Sequence, residues 1–224
     1  MHRPFLFLTA VLVLGACFDT ARTPTDPATP PESAPPESAP PASADSAAGR
    51  ALSVGDRAPD FTLPNADGEP VQLSDLLVDG PVVLTFYRGA WCPYCNTQLR
   101  DYEQSYPQVR EAGARVVAIS PQTAAGTAEM DSSNALSFPV LSDVGNVVSR
   151  RYGLVFRVGE ETRRQYQASG IDLAAINGTD EWELPVPATY VIDRAGTIQA
   201  AFVEADYTQR ASSRQVLEAL TQVL

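Results

Sequence analysis

Val82-Val83-Leu84-Thr85-Phe86-Tyr87, then Arg88-Gly89-Ala90-Trp91, then Cys92-Pro93-Tyr94-Cys95: the fold is decided in this stretch. Residues 81–87 form a nearly unbroken apolar run, the pattern of a strand buried on both faces. Beyond the second cysteine, Leu99, Tyr102, Tyr106 and Val109 recur at helical spacing, which predicts a helix over 95–112, kinked at Pro107. A strand feeding a CxxC at a helix start is a setting for redox chemistry. Unpaired N–H groups and the positive end of the helix dipole stabilise a thiolate there, which lowers the cysteine pKa and supplies the nucleophile. The second cysteine, one turn on, can close a disulfide and release the product. Trp91 before the pair and Pro93 inside it strengthen the signal.

Two other readings compete. A zinc site needs about four ligands, usually Cys or His. The only other donors of that kind, Cys17 and His2, both lie near the N-terminus, so zinc is not expected. The pair could also be two inert buried cysteines.

Outward from this centre the chain alternates strand and helix signals. Residues 54–73 read as a hairpin turning at Asn65-Ala66-Asp67-Gly68, followed by a short helix over 75–78 capped by Ser74. Residues 115–120 make the next buried strand, 123–133 a weak helix, 138–143 a strand and turn, and 144–152 a helix stopped at Gly153. Residues 160–184 fit no simple pattern and read as an insertion with one partly helical segment. A hairpin turning at Arg194-Ala195-Gly196 and a last helix capped by Ser212 or Ser213 close the chain. Together these give an α/β sandwich with a mixed central sheet flanked by helices.

The N-terminus has a different character. Met1-His2-Arg3-Pro4 is followed by an apolar run to Ala16, too short to span a bilayer and suited to an export signal. It ends Leu14-Gly15-Ala16-Cys17, which resembles the lipobox of bacterial lipoproteins, where the cysteine is lipidated. Residues 1–17 are thus expected to be a lipoprotein signal with Cys17 as the lipid anchor. Phe18, not Asp, follows, so the retention signal that some bacteria read at that place is missing. Residues 18–50 hold eight of the chain's 19 prolines and an immediate repeat of Pro-Glu-Ser-Ala-Pro, the composition of a disordered tether. Residues 51–224 suffice for one domain with a full core. The net charge of −11, without basic clusters, excludes nucleic-acid binding and electrostatic adhesion to anionic lipid. The predicted location is therefore the bacterial cell envelope, lipid-anchored, with the domain facing the periplasm or the exterior.

Five segments together resemble the AhpC/TSA branch of the thioredoxin superfamily, the peroxiredoxins and their membrane-anchored relatives. They are Gly55-Asp56-Arg57-Ala58-Pro59-Asp60-Phe61, Leu73-Ser74-Asp75-Leu76, Phe86-Tyr87, Phe138-Pro139-Val140-Leu141-Ser142-Asp143 and Tyr190-Val191-Ile192-Asp193-Arg194-Ala195-Gly196. The resemblance implies a thioredoxin-like sandwich from about residue 54 onward. Residues 88–95 look like a peroxiredoxin-like subgroup carrying a thioredoxin-style CxxC. Standard peroxiredoxins instead carry Pro-x-x-x-Thr-x-x-Cys, whose cysteine attacks the peroxide. Counted from Phe86-Tyr87, that cysteine is Cys95, the threonine position is Cys92 and the proline position is Arg88. Where the family has an activating arginine this chain has Pro187, the place of the cis proline that faces the CxxC in thioredoxin folds. Arg88 or Arg210 could supply the missing charge, or both could be solvated surface groups. Read as a thioredoxin, Cys92 is the exposed attacker and Cys95 the resolving thiol; the peroxiredoxin count favours Cys95, and both assignments stand at this point.

The resemblance implies a thiol peroxidase taking oxygen from a hydroperoxide through Cys92 and Cys95, re-reduced by a thioredoxin-like dithiol protein. The alternatives are a thiol-disulfide oxidoreductase acting on exported proteins and a non-catalytic binding lipoprotein using the fold. No nucleotide, flavin, haem or metal motif is present, so no cofactor is expected.

Overall fold

The computed structural model describes residues 43–223. The leader with Cys17 and the tether up to residue 42 lie outside them. A short helix, α1 (Ala44–Ala48), stands at the end of the stretch read as tether. Ser43 caps it and Ala47 is fully buried.

The hairpin of β1 (Thr62–Pro64) and β2 (Pro70–Gln72) leads into α2 (Leu73–Asp79). Ser74 does not cap α2. The Ser74 backbone N–H donates at 2.9 Å to Asp60 Oδ1, so a carboxylate from before the hairpin satisfies the first turn. Next comes β3 (Val82–Phe86), buried at every residue because it lies mid-sheet with helices on both faces. The helix α3 (Pro93–Glu111) follows, unbroken through Pro107. Then come β4 (Arg115–Ser120), α4 (Ala124–Asn134), β5 (Val140–Ser142) and α5 (Val147–Arg151), the last shorter than its apolar pattern suggests. Asp143 fixes that start by accepting from the backbone N–H groups of Val148 and Ser149, both at 2.9 Å.

The insertion holds more structure than the sequence announced. A strand, β6 (Val155–Arg157), precedes two helices, α6 (Glu160–Ala168) and α7 (Leu173–Asn177), and β7 (Glu183–Pro185) returns antiparallel to β6. Asp172 caps α7, and Gly178, at φ +67°, ends it in a conformation glycine adopts without cost. Val158, Leu173, Trp182 and Leu184 bury together, with Phe156, Tyr166, Ile171 and Trp91 packed on them. That small core, too scattered in sequence to show a period, is why the segment is ordered. The hairpin of β8 (Ala188–Ile192) and β9 (Ile198–Val203) and the helix α8 (Ser213–Leu220) complete the chain. Ser212 is the cap of α8, in a capping box with Gln215.

The sheet order is β5-β4-β3-β8-β9. The strand β3 runs parallel to β4 and antiparallel to β8, so the sheet is mixed. Alternation splits the core in two. Val82, Leu84 and Phe86 face Leu73 and Leu77 of α2 and Val148 of α5. Val83 and Tyr87 face Leu99 and Tyr102 of α3 and Val216 and Leu220 of α8. This is the thioredoxin-like α/β sandwich, and it places the tip of α3 at the end of the central strand. Among the described residues no helix is long and apolar enough to cross a membrane.

Candidate active site

The chain leaves β3 at Tyr87 and turns through residues 88–91 onto the start of α3. Gly89 makes this turn at φ +151°, and a Cβ there would stand 2.4 Å from Trp91 Nε1, so the position requires glycine. Gln122 accepts from the Ala90 N–H at 2.6 Å, and Asn96 donates back to the carbonyls of Ala90 and Cys92. Cys92 is the N-cap residue of α3 and Pro93 occupies its first turn, where a missing N–H costs nothing. Tyr94, between the cysteines, is half exposed and sets its ring edge-on to Tyr207 at 5.7 Å. Trp91 is partly buried and packs edge-on to Tyr166 at 5.3 Å.

Both cysteines are free thiols. The exposure expected of Cys92 is not found: it is 1% exposed and Cys95 fully buried. Their environments nevertheless separate them. A hydrogen bond from the Cys95 thiol is the largest influence on Cys92. With the Cys95 backbone N–H and, after it, the charges of Arg88 and Arg210, it outweighs burial and takes the Cys92 pKa from an ordinary 9.0 down to about 6. Burial, and the same hydrogen bond in the opposite sense, push Cys95 well above its ordinary value; Arg210 opposes the rise. At neutral pH the pair is therefore a Cys92 thiolate held by a protonated Cys95.

The two arginines are not solvated surface charges. Arg88 is 3% exposed, with its guanidinium against the rings of Tyr207, Trp91 and Tyr166. Arg210 is half-buried; its Nη2 lies 3.6 Å from Cys95 Sγ and its Nη1 donates at 3.2 Å to Gln98 Oε1. Gln98 donates to Tyr102 Oη at 3.1 Å, and Tyr102 meets Thr189, which meets Thr85 at 3.0 Å across the paired strands β3 and β8. Pro187, just ahead of β8, lines a small crevice with Gln98 and Arg210.

The fold thus brings Cys92, Cys95, Trp91, Pro93, Arg88 and Arg210 to one place, with Pro187 beside Arg210. Sequence reasoning missed Gln98, Tyr166 and Tyr207. A polar residue one turn after Cys95 on the buried face of a helix was a usable signal for Gln98. Nothing local marks the two tyrosines.

Comparison with known proteins identifies the family. The chain is 34% identical over 148 residues to peroxiredoxin Q, chloroplastic, of Oryza sativa subsp. japonica, across 66% of this chain and 58% of that protein. It thus spans less than two thirds of the rice protein's length. It is 31% identical over 151 residues to peroxiredoxin Q, chloroplastic, of Sedum lineare, covering 67% of this chain and 69% of that one. Among solved structures, peroxidoxin BcpB from Mycobacterium tuberculosis superposes with a TM-score of 0.61 at 25% identity, over 77% of this chain and 99% of that chain. The AhpC/TSA family model matches residues 54–201, which take in both cysteines and the whole sheet up to β9, and so the chain belongs to the AhpC/TSA family.

Proposed function

We propose that this protein is a thiol peroxidase in which Cys92 attacks the hydroperoxide and Cys95 resolves the product. The observation that carries this reading is the burial of Cys92 beside Cys95 at the start of α3. Hydrogen peroxide is little larger than water and can reach a side chain that is 1% exposed, whereas a protein disulfide, like the protein that later re-reduces the pair, has to displace the cover. The relatives named peroxiredoxin support the same chemistry. The Cys92 sulfur takes the terminal oxygen of the hydroperoxide; an S–O bond forms as the O–O bond breaks, and the alkoxide or hydroxide leaves and is protonated. The Cys95 sulfur then attacks Cys92, an S–S bond forms, and the sulfenic hydroxyl departs as water with the Cys95 proton. A thioredoxin-like dithiol protein returns the two electrons. Arg88 serves as counter-charge to Cys92, in the place of the family's activating arginine.

One observation favours a second reading. The lowered pKa falls on Cys92, while the family's peroxide-attacking cysteine aligns with Cys95. A low-pKa first cysteine of a CxxC suits a thiol-disulfide oxidoreductase. The two are separated by mixing reduced protein with hydrogen peroxide and, separately, with a protein disulfide. A peroxidase loses two hydrogens in mass to peroxide without forming a stable dimer. Cys95→Ser is expected to react once and stop at the Cys92 sulfenic acid, and Cys92→Ser not to react. Reaction with the disulfide but no faster than a free thiol with peroxide would select the second reading; full turnover in both variants would exclude each.

A further inference from the structure

Arg88 is a buried cation without an acidic partner: among the described residues no carboxylate forms an ion pair with it. Three rings surround the guanidinium carbon, with centroids at 4.2 Å for Tyr207, 4.8 Å for Trp91 and 5.7 Å for Tyr166. Nη2 donates to the Tyr166 hydroxyl, and Nε, also buried, has no protein partner. The rings come from three segments: the turn before the CxxC, the loop after β9, and α6 of the insertion. The small apolar core of the insertion packs against both Trp91 and Tyr166, so two of the three rings are tied to it. An aromatic cage removes the water of a guanidinium and leaves its charge, so its field is less screened at a neighbouring sulfur.

We propose that Tyr166 is a positioning residue for the thiol chemistry: α6, acting with Tyr207, holds the Arg88 guanidinium desolvated beside Cys92, where cation and thiolate are each other's counter-charge. This rests on the reading of Cys92 as the nucleophile. It also assigns a purpose to the insertion, which contributes nothing to the central sheet. The groups that bear on Cys92 are Cys95, Arg88 and Arg210, with Tyr166 within Coulombic reach and Tyr207 against the guanidinium. Burial raises both Cys95 and Tyr166, so they stay protonated up to mild alkaline pH and Cys92 is the cysteine that titrates near neutrality.

The test is the pH profile of iodoacetamide alkylation of the reduced full chain, between about pH 4.5 and 9, with the labelled cysteine identified by peptide mass. Wild type is expected to label at Cys92 with a midpoint near about 6. Arg88→Ala should raise the midpoint by about one unit or more, Tyr166→Phe by about half a unit, and Tyr166→Leu by more than Tyr166→Phe. Adding Tyr166→Phe to Arg88→Ala should move the midpoint no further, because both act through one guanidinium. Tyr207→Leu, on an exposed loop, should shift it in the same direction and does not depend on the insertion folding. Unchanged midpoints in Tyr166→Phe and Tyr207→Leu while Arg88→Ala rises would overturn the proposal, as would additive shifts in the double variant. No shift in Arg88→Ala would overturn the proposal alone, whereas labelling at Cys95 would overturn it together with the assignment of the nucleophile.

Discussion

Arg88 and Arg210 bear differently on the two sulfurs. The Arg88 guanidinium acts on Cys92 and its backbone N–H on Cys95, while the Arg210 guanidinium reaches Cys95, with Nη2 at 3.6 Å from its sulfur and Nη1 tied down by Gln98. In the proposed peroxidase cycle Cys95 loses its proton as it attacks the sulfenic acid, and a guanidinium at that distance would stabilise the charge that develops on it. Arg210→Ala is therefore expected to slow disulfide closure about tenfold or more while altering sulfenic acid formation less. Quenched-flow mass spectrometry reads both steps: a species heavier by one oxygen should accumulate at Cys92. Closure at the wild-type rate would remove Arg210 from the second step. At this scale the sequence was half legible. It gave the cysteines and pointed to both arginines, because a CxxC and a family motif are local patterns. It could not place Arg88 inside the protein, since its cage is built with Tyr166, 78 residues away.

Helix starts show the same division between local and distant causes. The start of helix α8 was legible to within one residue, Ser212 or Ser213, because its capping box lies within four consecutive residues, Ser212 to Gln215. The side-chain cap of that helix should contribute about 1 kcal/mol, so Ser212→Ala is expected to lower the melting temperature by a few degrees in thermal denaturation. An unchanged melt would mean that the packing of Val216 and Leu220 alone fixes the helix. The helix α2 was read, but its start was misread, because the carboxylate that satisfies its first turn, Asp60, lies 14 residues before the N–H it accepts from, on the other side of a hairpin. The second helix and the closing strand of the insertion went unread for a related reason: short elements packed on a four-residue core leave no run long enough to carry a period.

For the whole molecule, the sheet was legible because its central strands β3, β4 and β8 are buried almost throughout and read as continuous apolar runs, while the edge strand β9 was found through the hairpin turn before it. The mixed order follows from the connections: helical crossovers link β3, β4 and β5, and a hairpin closes β8 on β9. Nothing comparable could reveal which loops converge over the tip of α3, since that depends on how far each connection reaches past the sheet. The leader is a matter of whole-chain placement. An acidic chain of net charge −11 gains nothing from anionic lipid, so membrane attachment is proposed to rest on acylation of Cys17 alone. Cys17→Ala should leave the protein unprocessed or move it to the soluble fraction, as read by fractionation and intact mass. An unchanged mass and distribution would exclude the anchor.

The lowered pKa of Cys92 also sets the redox poise of the pair. Stabilising a thiolate stabilises the reduced protein relative to its disulfide, which makes the disulfide the stronger oxidant. A shift from an ordinary 9.0 to about 6 favours the reduced state at pH 7 by on the order of 1.4 kcal/mol, or roughly 30 mV for a two-electron couple. The raised pKa of Cys95 adds nothing to this, because that thiol is protonated at pH 7 with or without the shift. A Cys92–Cys95 bond would thus be poised for reduction by a partner dithiol, and the cage that protects the thiolate would also keep the disulfide short-lived.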